Sequence, residues 1–306
     1  MNNIFYFNIN YKCNQYCRFC FSHNTNALNQ KKDISIEIFQ KAIDNGKVRQ
    51  NDRIIINGGE PTLHPDFFQI LEMASKTKAE LVMYSNGQKF SDLVFSRKVL
   101  SSGLCRVTIP VHGNESLHNY ITQKKDSFEK VCQAIKNITS LKQGVLELKF
   151  IITEKMAESN FDIVAFIETH CGFKALNSVV ITGQVNTKVA EKNGFRFDGN
   201  ELYYRYVSEQ INNLRPYCCL KIYDLKMCKL ANDFCAKVNS FKLIPSQNFD
   251  EFYFSDFNNS LKKSDYKQDR KEALCQACGS KLFCKSILDS YLVLSINKNN
   301  CQLVME

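Results

Sequence analysis

Six short apolar runs, rich in β-branched and aromatic residues, are each followed by a longer stretch of helical period, and this alternation constrains the fold most. The strand candidates are residues 4–10, 53–58, 80–86, 104–111, 146–153 and 176–183. Helices are expected near 35–45, 66–76, 91–101, 126–140, 160–170 and 199–213. Start signals support several of them: Asp33 and Ser35 before the first, Pro65-Asp66 at the second and Asp126-Ser127 at the fourth. Successive β-then-α units join parallel strands by crossover helices, which gives either a barrel or an open doubly wound sheet. In both, chemistry collects on the loops beyond the carboxyl ends of the strands.

The alternation stops near residue 213, and eight of the fourteen cysteines lie in the final 89 residues. The expected division is therefore a large α/β unit over 1–213 and a small cysteine-rich unit with its own metal site over 214–306. No apolar run approaches the roughly 18 residues that a membrane span needs. The opening "MNNIFYFNIN" lacks the basic region and cleavage site of a secretory signal, so a cytoplasmic location is expected. In that compartment fourteen cysteines point to metal binding or redox chemistry rather than to disulfides. The net charge of +9 suits an anionic partner, but it is spread over short lysine clusters without an arginine-rich arm. Solvated lysine faces account for it better than a nucleic-acid site.

The stretch "YKCNQYCRFCFSH" (11–23) leaves the first strand and sets Cys13, Cys17 and Cys20 in a C-x3-C-x2-C array. Three thiolates suffice for three irons of a [4Fe–4S] cube, whereas a fully ligated cluster needs a fourth cysteine. The next one, Cys105, is 85 residues away. A three-cysteine site would leave one iron open, as catalytic metal sites require. The spacing also admits a zinc knuckle completed by His23, or a set of buried thiols.

The array, with aromatic Phe19 before the third cysteine, resembles the cluster loop of the radical S-adenosylmethionine (SAM) enzymes. Further segments resemble the same family in order: "NGGEPTLHP" (57–65), "YSNG" (84–87), "VTIPVHG" (107–113) with the helix after it, and "FIITEKMAESN" (150–160). The resemblance covers residues 4 to about 183 and implies a partial (β/α)6 TIM-like barrel. It implies that Cys13, Cys17 and Cys20 ligate a [4Fe–4S] cluster with an open iron, that Phe19 packs near the adenine of SAM, and that Gly58, Gly59 and Glu60 hold the methionine end. Ser85 and Asn86 would lie near the ribose or carboxylate, and Asn160 is a further candidate SAM contact. The bland readings are core packing for Phe19 and an ordinary turn at Asn86-Gly87.

Cys275-x2-Cys278-x5-Cys284 resembles the auxiliary-cluster segment of SPASM and twitch domains, with one SPASM cysteine and the upstream glycine hairpin missing. One auxiliary [4Fe–4S] cluster is implied, its fourth ligand drawn from "RPYCC", with Cys218 preferred over Cys219 and Cys301 in reserve. Four-thiolate zinc is the alternative for that segment. Cys105, Cys132 and Cys171 are read as buried thiols, and His112 and His118 as loop or core histidines that could line the barrel mouth.

The ending is similar to that of peptide maturases acting with His-Xaa-Ser repeat peptides. The implied function is hydrogen abstraction from a residue of a ribosomally made precursor peptide, giving a crosslink, a thioether or an epimer. Epimerisation would need a thiol donor, for which Cys218 and Cys219 are the candidates. Implied partners are the precursor peptide and a flavodoxin- or ferredoxin-type electron donor; with no recognition domain expected before residue 13, the peptide would bind at the barrel mouth, at the second domain or through a separate peptide-recognition protein. Two other readings stand beside it: a radical SAM enzyme acting on a small molecule in cofactor or antibiotic synthesis, and a metal protein binding nucleic acid. Against the molybdopterin type, the C-x2-C-x13-C pattern and Gly-Arg-Arg tail are absent.

Overall fold

The computed structural model describes residues 3–20, 33–184, 188–195, 199–223 and 225, and the backbone of short strands at 242–244, 251–255, 260–263 and 302–304. Seven strands pair side by side in chain order and all run parallel: β1 (Ile4–Asn8), β2 (Arg53–Asn57), β3 (Glu80–Tyr84), β4 (Arg106–Val111), β5 (Leu146–Ile152), β6 (Leu176–Gly183) and β7 (Leu220–Tyr223). The first six are the strands expected from the apolar runs. β7 lies past residue 213 and still extends the sheet. Of the later strands, β8 (Lys242–Ile244) pairs with β11 (Gln302–Val304), while β9 (Glu251–Ser255) lies parallel to the free edge of β1 and antiparallel to β10 (Ser260–Lys263).

Nine α-helices occur among the described residues: α1 (Ile36–Gly46), α2 (Phe67–Lys76), α3 (Leu93–Leu100), α4 (Glu115–Thr122), α5 (Ser127–Leu141), α6 (Glu154–Glu158), α7 (Ile163–His170), α8 (Lys188–Lys192) and α9 (Glu201–Leu214). None is long and apolar enough to cross a membrane. Ser35 caps α1 by accepting from Ile38 N, while the neighbouring Asp33 pairs instead with Lys12. Asp66 and Asp126 occupy the cap positions of α2 and α5 without a side-chain cap bond, and Asp126 pairs with Lys130.

Strand alternation sends Phe5, Phe7, Ile54, Ile56, Leu81, Met83, Val107 and Ile109 into one core with Phe39 of α1, Ile70 of α2 and Ile135 of α5. Each such fully buried side chain stabilises the fold by about 1.5–3 kcal/mol. The opposite face holds a small cluster of Ile4, Ile55 and Val82 with Tyr6 and Tyr84, and no helical residue among the described residues joins it. Among the described residues helices thus cover one face of the sheet, which is the open-barrel topology rather than the doubly wound one.

At the amino ends of the strands this second face carries alternating charge. Arg53 of β2 pairs with Glu80 of β3 (2.6 Å), which also pairs with Arg106 of β4. Arg106 lies 3.5 Å from Glu147 of β5, and Glu147 is 2.8 Å from Lys221 of β7. Thr108 and Ser178 donate to Glu147 at 2.7 and 2.6 Å. Burial alone would raise the Glu147 carboxyl, but the cations of Lys221 and Arg106 outweigh it and hold the pKa at about 2. An ionic network therefore occupies the amino end of this face, and the loops at the carboxyl end are where the site lies.

Candidate functional site

Residues 10–12 leave β1 alongside the segment that follows β2. Gly59 N donates to Asn10 O (3.0 Å), Glu60 N to Lys12 O (2.7 Å) and Asn10 Nδ2 to Glu60 O (2.8 Å). The glycines permit this approach: a Cβ on Gly59 would sit 2.4 Å from Lys12 O, and one on Gly58 2.6 Å from Asn10 O. The two glycines therefore bring the β2 loop against the cysteine loop, and the N–H groups of Gly59 and Glu60 are taken up there.

Glu60 is buried with its carboxylate fully engaged. Oε1 accepts from Thr62 N (3.2 Å), Thr62 Oγ1 (2.7 Å) and Ser85 Oγ (2.9 Å), and Oε2 from Asn86 N (2.7 Å). Burial raises its pKa against the pull of those bonds. Ser85 in turn accepts from Gly87 N (3.1 Å). Asn86 Nδ2 reaches Asn14 Oδ1 (2.7 Å) and Cys13 Sγ (3.7 Å), so the turn after β3 is tied to the cysteine loop. Gly87 in this turn has φ of +79°, a conformation that glycine adopts without strain.

The loop from Cys13 to Cys20 is pinned at its far side by Tyr16 N to Thr122 O (3.1 Å) and Arg18 N to Ile121 O (2.9 Å), at the end of α4. Cys13, Cys17 and Cys20 are half-buried free thiols on this one loop. Among the described residues no three His, Cys, Asp or Glu side chains converge as ligands of a single metal ion. Burial pushes Cys13 up to about 11, opposed by the Gln15 N–H and reinforced by the charges of Glu60 and Cys20. Burial also raises Cys17, with Cys20 and Cys13 adding to the effect. Three thiolates here would repel one another in a desolvated setting, so they need cationic iron to coexist. The donor set fits such a group: three sulfurs, with Gln15 N at 3.4 Å and Asn86 Nδ2 both directed at Cys13 Sγ.

The remaining candidates fall in different places. Phe19 packs edge-on to His112 and Phe195 in a small cluster with Ile121 and Ala190. Asn160 is exposed after α6 with φ of +47°, a left-handed position that Asn tolerates. His112 and His118 are both buried, His112 just past the carboxyl end of β4 and edge-on to Phe19, and burial lowers His118 to about 4. Cys132 is buried as expected and Cys171 half-buried, but Cys105 is exposed, because it precedes β4 at the sheet's amino edge.

Cys218 and Cys219 also stand at the amino edge, just before β7, at the opposite end of the sheet from the Cys13–Cys20 loop. Cys218 is turned into the helix-facing core with its thiol on Leu214 O (3.5 Å), whereas Cys219 is half-buried. This placement gives neither thiol a donor role at the barrel mouth, and makes Cys219 the more accessible ligand candidate of the two. His23, Cys275, Cys278, Cys284 and Cys301 lie outside the described residues.

Sequence reasoning missed the polar residues beneath the loop. Asn10, Gln15, Thr62, Gln88 and Ser127 are all buried and all bond within this region. They sit at positions between or beside motif residues, where a single sequence carries no signal for them.

The family model described as Radical SAM superfamily matches residues 7–153. A probable GTP 3',8-cyclase of Sulfurisphaera tokodaii is 32% identical over 163 residues, covering 51% of this chain and 50% of that protein. Mycofactocin maturase MftC of Mycolicibacterium smegmatis is 23% identical over 147 residues, covering 48% and 37%. The chain thus spans half or less of these two curated relatives. Streptococcus suis SuiB bound to S-adenosylmethionine shares the fold at TM-score 0.58 and 12% identity, covering 95% of this chain and 72% of that one. The same protein bound to the precursor peptide SuiA gives 0.57 at 14% identity, covering 82% and 57%. Residues 7–153 thus match the radical SAM family model, and the parallel sheet shares the fold of the SuiB structures.

Proposed function

We propose that this chain binds a [4Fe–4S] cluster through Cys13, Cys17 and Cys20, binds SAM at the cluster, and uses the resulting radical on a residue of a precursor peptide. The observation that supports this is the single loop at the carboxyl edge of β1 that carries three free thiols and is locked to the turns after β2 and β3 through Gly59, Glu60 and Asn86. When bound, the cluster supplies the electron that cleaves the S–C5′ bond of SAM and yields a 5′-deoxyadenosyl radical. The chain's own part is placement. Glu60 fixes Ser85 and Asn86, Asn86 and Gln15 direct N–H groups at Cys13, and Phe19 with Phe195 walls the loop against water. SAM contacts are assigned to Gly58, Ser85, Asn86 and Asn160, with Gly59 and Glu60 shaping the loop that holds the methionine end. Cys275, Cys278 and Cys284, with a fourth thiol from Cys219, Cys218 or Cys301, form the second cluster of this reading. A flavodoxin- or ferredoxin-type protein is its electron source.

Anaerobic reconstitution with iron and sulfide, followed by SAM and dithionite, tests the reading. It requires release of 5′-deoxyadenosine, lost in Cys13→Ala, Cys17→Ala and Cys20→Ala. Absence of release from the reconstituted wild type overturns it. A small-molecule substrate is the second reading, favoured by the 32% identity to the probable GTP cyclase. Faster 5′-deoxyadenosine release on adding GTP would select it. Acceleration by a peptide encoded beside the gene would select the maturase.

A further inference from the structure

Between Cys13 and Cys17, the Gln15 side chain is 3% exposed and bridges the cysteine loop to the core. Its Oε1 lies 3.6 Å from Cys17 Sγ and its Nε2 2.8 Å from Ser127 Oγ. Ser127, fully buried at the start of α5, has its Oγ also 3.0 Å from His118 Nε2 and 3.4 Å from Gln88 Nε2. His118 Nδ1 accepts from the backbone N–H of His112 (3.2 Å), so the ring proton is on Nε2 and that nitrogen donates to Ser127 Oγ.

The count of donors and acceptors does not balance. Three N–H donors converge on one hydroxyl oxygen with two lone pairs, while the hydroxyl proton has no acceptor among the described residues. The contact from Cys17 to Gln15 Oε1 works only for a protonated thiol, yet cysteine ligates iron as the thiolate. A thiolate facing a carbonyl oxygen in a buried site would have no proton between them.

Exchanging the two ends of the Gln15 amide moves no heavy atom and corrects both faults. Ser127 O–H then donates to Gln15 Oε1, and Gln15 Nε2–H donates to Cys17 Sγ. Gln88 cannot make the exchange instead, because its Nε2 is also 3.2 Å from the Ser127 carbonyl, which requires a donor. We propose that Gln15 is a positioning residue whose amide, oriented by the His118–Ser127 pair, donates to the Cys17 thiolate and makes the bound iron–sulfur cluster easier to reduce. The proposal rests on the cluster assignment above. Reduction adds negative charge to the cluster and its sulfurs, so an N–H aimed at one of them strengthens in the reduced state.

The experiment uses the full chain, reconstituted anaerobically, and reads two quantities. One is iron content. The other is the midpoint potential of the cluster whose electron paramagnetic resonance signal changes on adding SAM. Gln15→Leu removes the N–H at similar volume and is expected to keep the iron while disfavouring reduction about tenfold, which is 59 mV for one electron. Ser127→Ala leaves Gln15 in place but releases its orientation, and is expected to shift the potential in the same direction by less. It also serves if Gln15→Leu does not fold. Unchanged potentials with full iron, in whichever of the two variants folds, overturn the proposal and leave the cluster assignment standing. Wild type that binds no iron at Cys13, Cys17 and Cys20 overturns both.

Discussion

A methyl group on Gly59 would meet two backbone oxygens, Lys12 O at 2.4 Å and Tyr11 O at 2.6 Å, and neither can swing away as a side chain could. Gly59→Ala is expected to cost about 1–3 kcal/mol through overpacking, read as a lower urea midpoint, and to reduce iron uptake because the cysteine loop is displaced. Glu60 presents a second such case. Its carboxylate accepts from four donors, so Glu60→Gln would turn an amide N–H toward one of them. A loss of about 1–3 kcal/mol is expected from a buried donor left unpaired, with a fall in 5′-deoxyadenosine release as the Asn86 turn loosens. An unchanged urea midpoint would show that the carboxylate is not the clamp described. At this scale the cysteines and the glycine-glutamate segment were legible, since spacing and order carry them. Gln15 and Ser127 were not, because their partners are 112 residues apart in sequence and only the folded chain brings them together.

The strands and long helices were legible as elements because apolar periodicity marks anything with a buried face of several turns or pleats. The short helices α6 and α8, of 5 residues each, offer too few turns for a period to register, and the four residues of β7 are no clearer. The charged inner ends of β2 to β7 escaped for another reason. Arg53, Glu80, Arg106, Glu147 and Lys221 read singly as strand-end surface residues, and their alternation exists only across the sheet. Glu147 anchors that network, and because its folded pKa lies below the ordinary 4.5, its contribution is present above that value and lost as pH falls toward about 2. Glu147→Gln should destabilise by about 3–5 kcal/mol at pH 7, since it leaves buried cations uncompensated. The gap to wild type should close in denaturation at acid pH; a pH-independent gap would count against the ionic account.

For the molecule as a whole, the main core lies between sheet and helices and contains none of the three loop cysteines. The fold therefore should not need iron. A variant with Cys13, Cys17 and Cys20 all changed to alanine is expected to keep the wild-type far-ultraviolet circular dichroism. Iron and sulfide should raise the melting temperature of wild type alone, and a chelator should reverse the gain. Loss of helical signal in the triple variant would contradict this.

The pairing of β1 with β9 reaches from the first strand to residues 251–255. During synthesis β2 becomes available early, but the other flank of β1 has no neighbour until residue 255 has emerged, 247 residues after β1 ends at residue 8. At typical translation speeds that interval is roughly 12–50 s. Throughout it the nascent chain presents an unsaturated ladder of backbone donors and acceptors, and what shields that ladder on the ribosome governs how much of the protein reaches its native form.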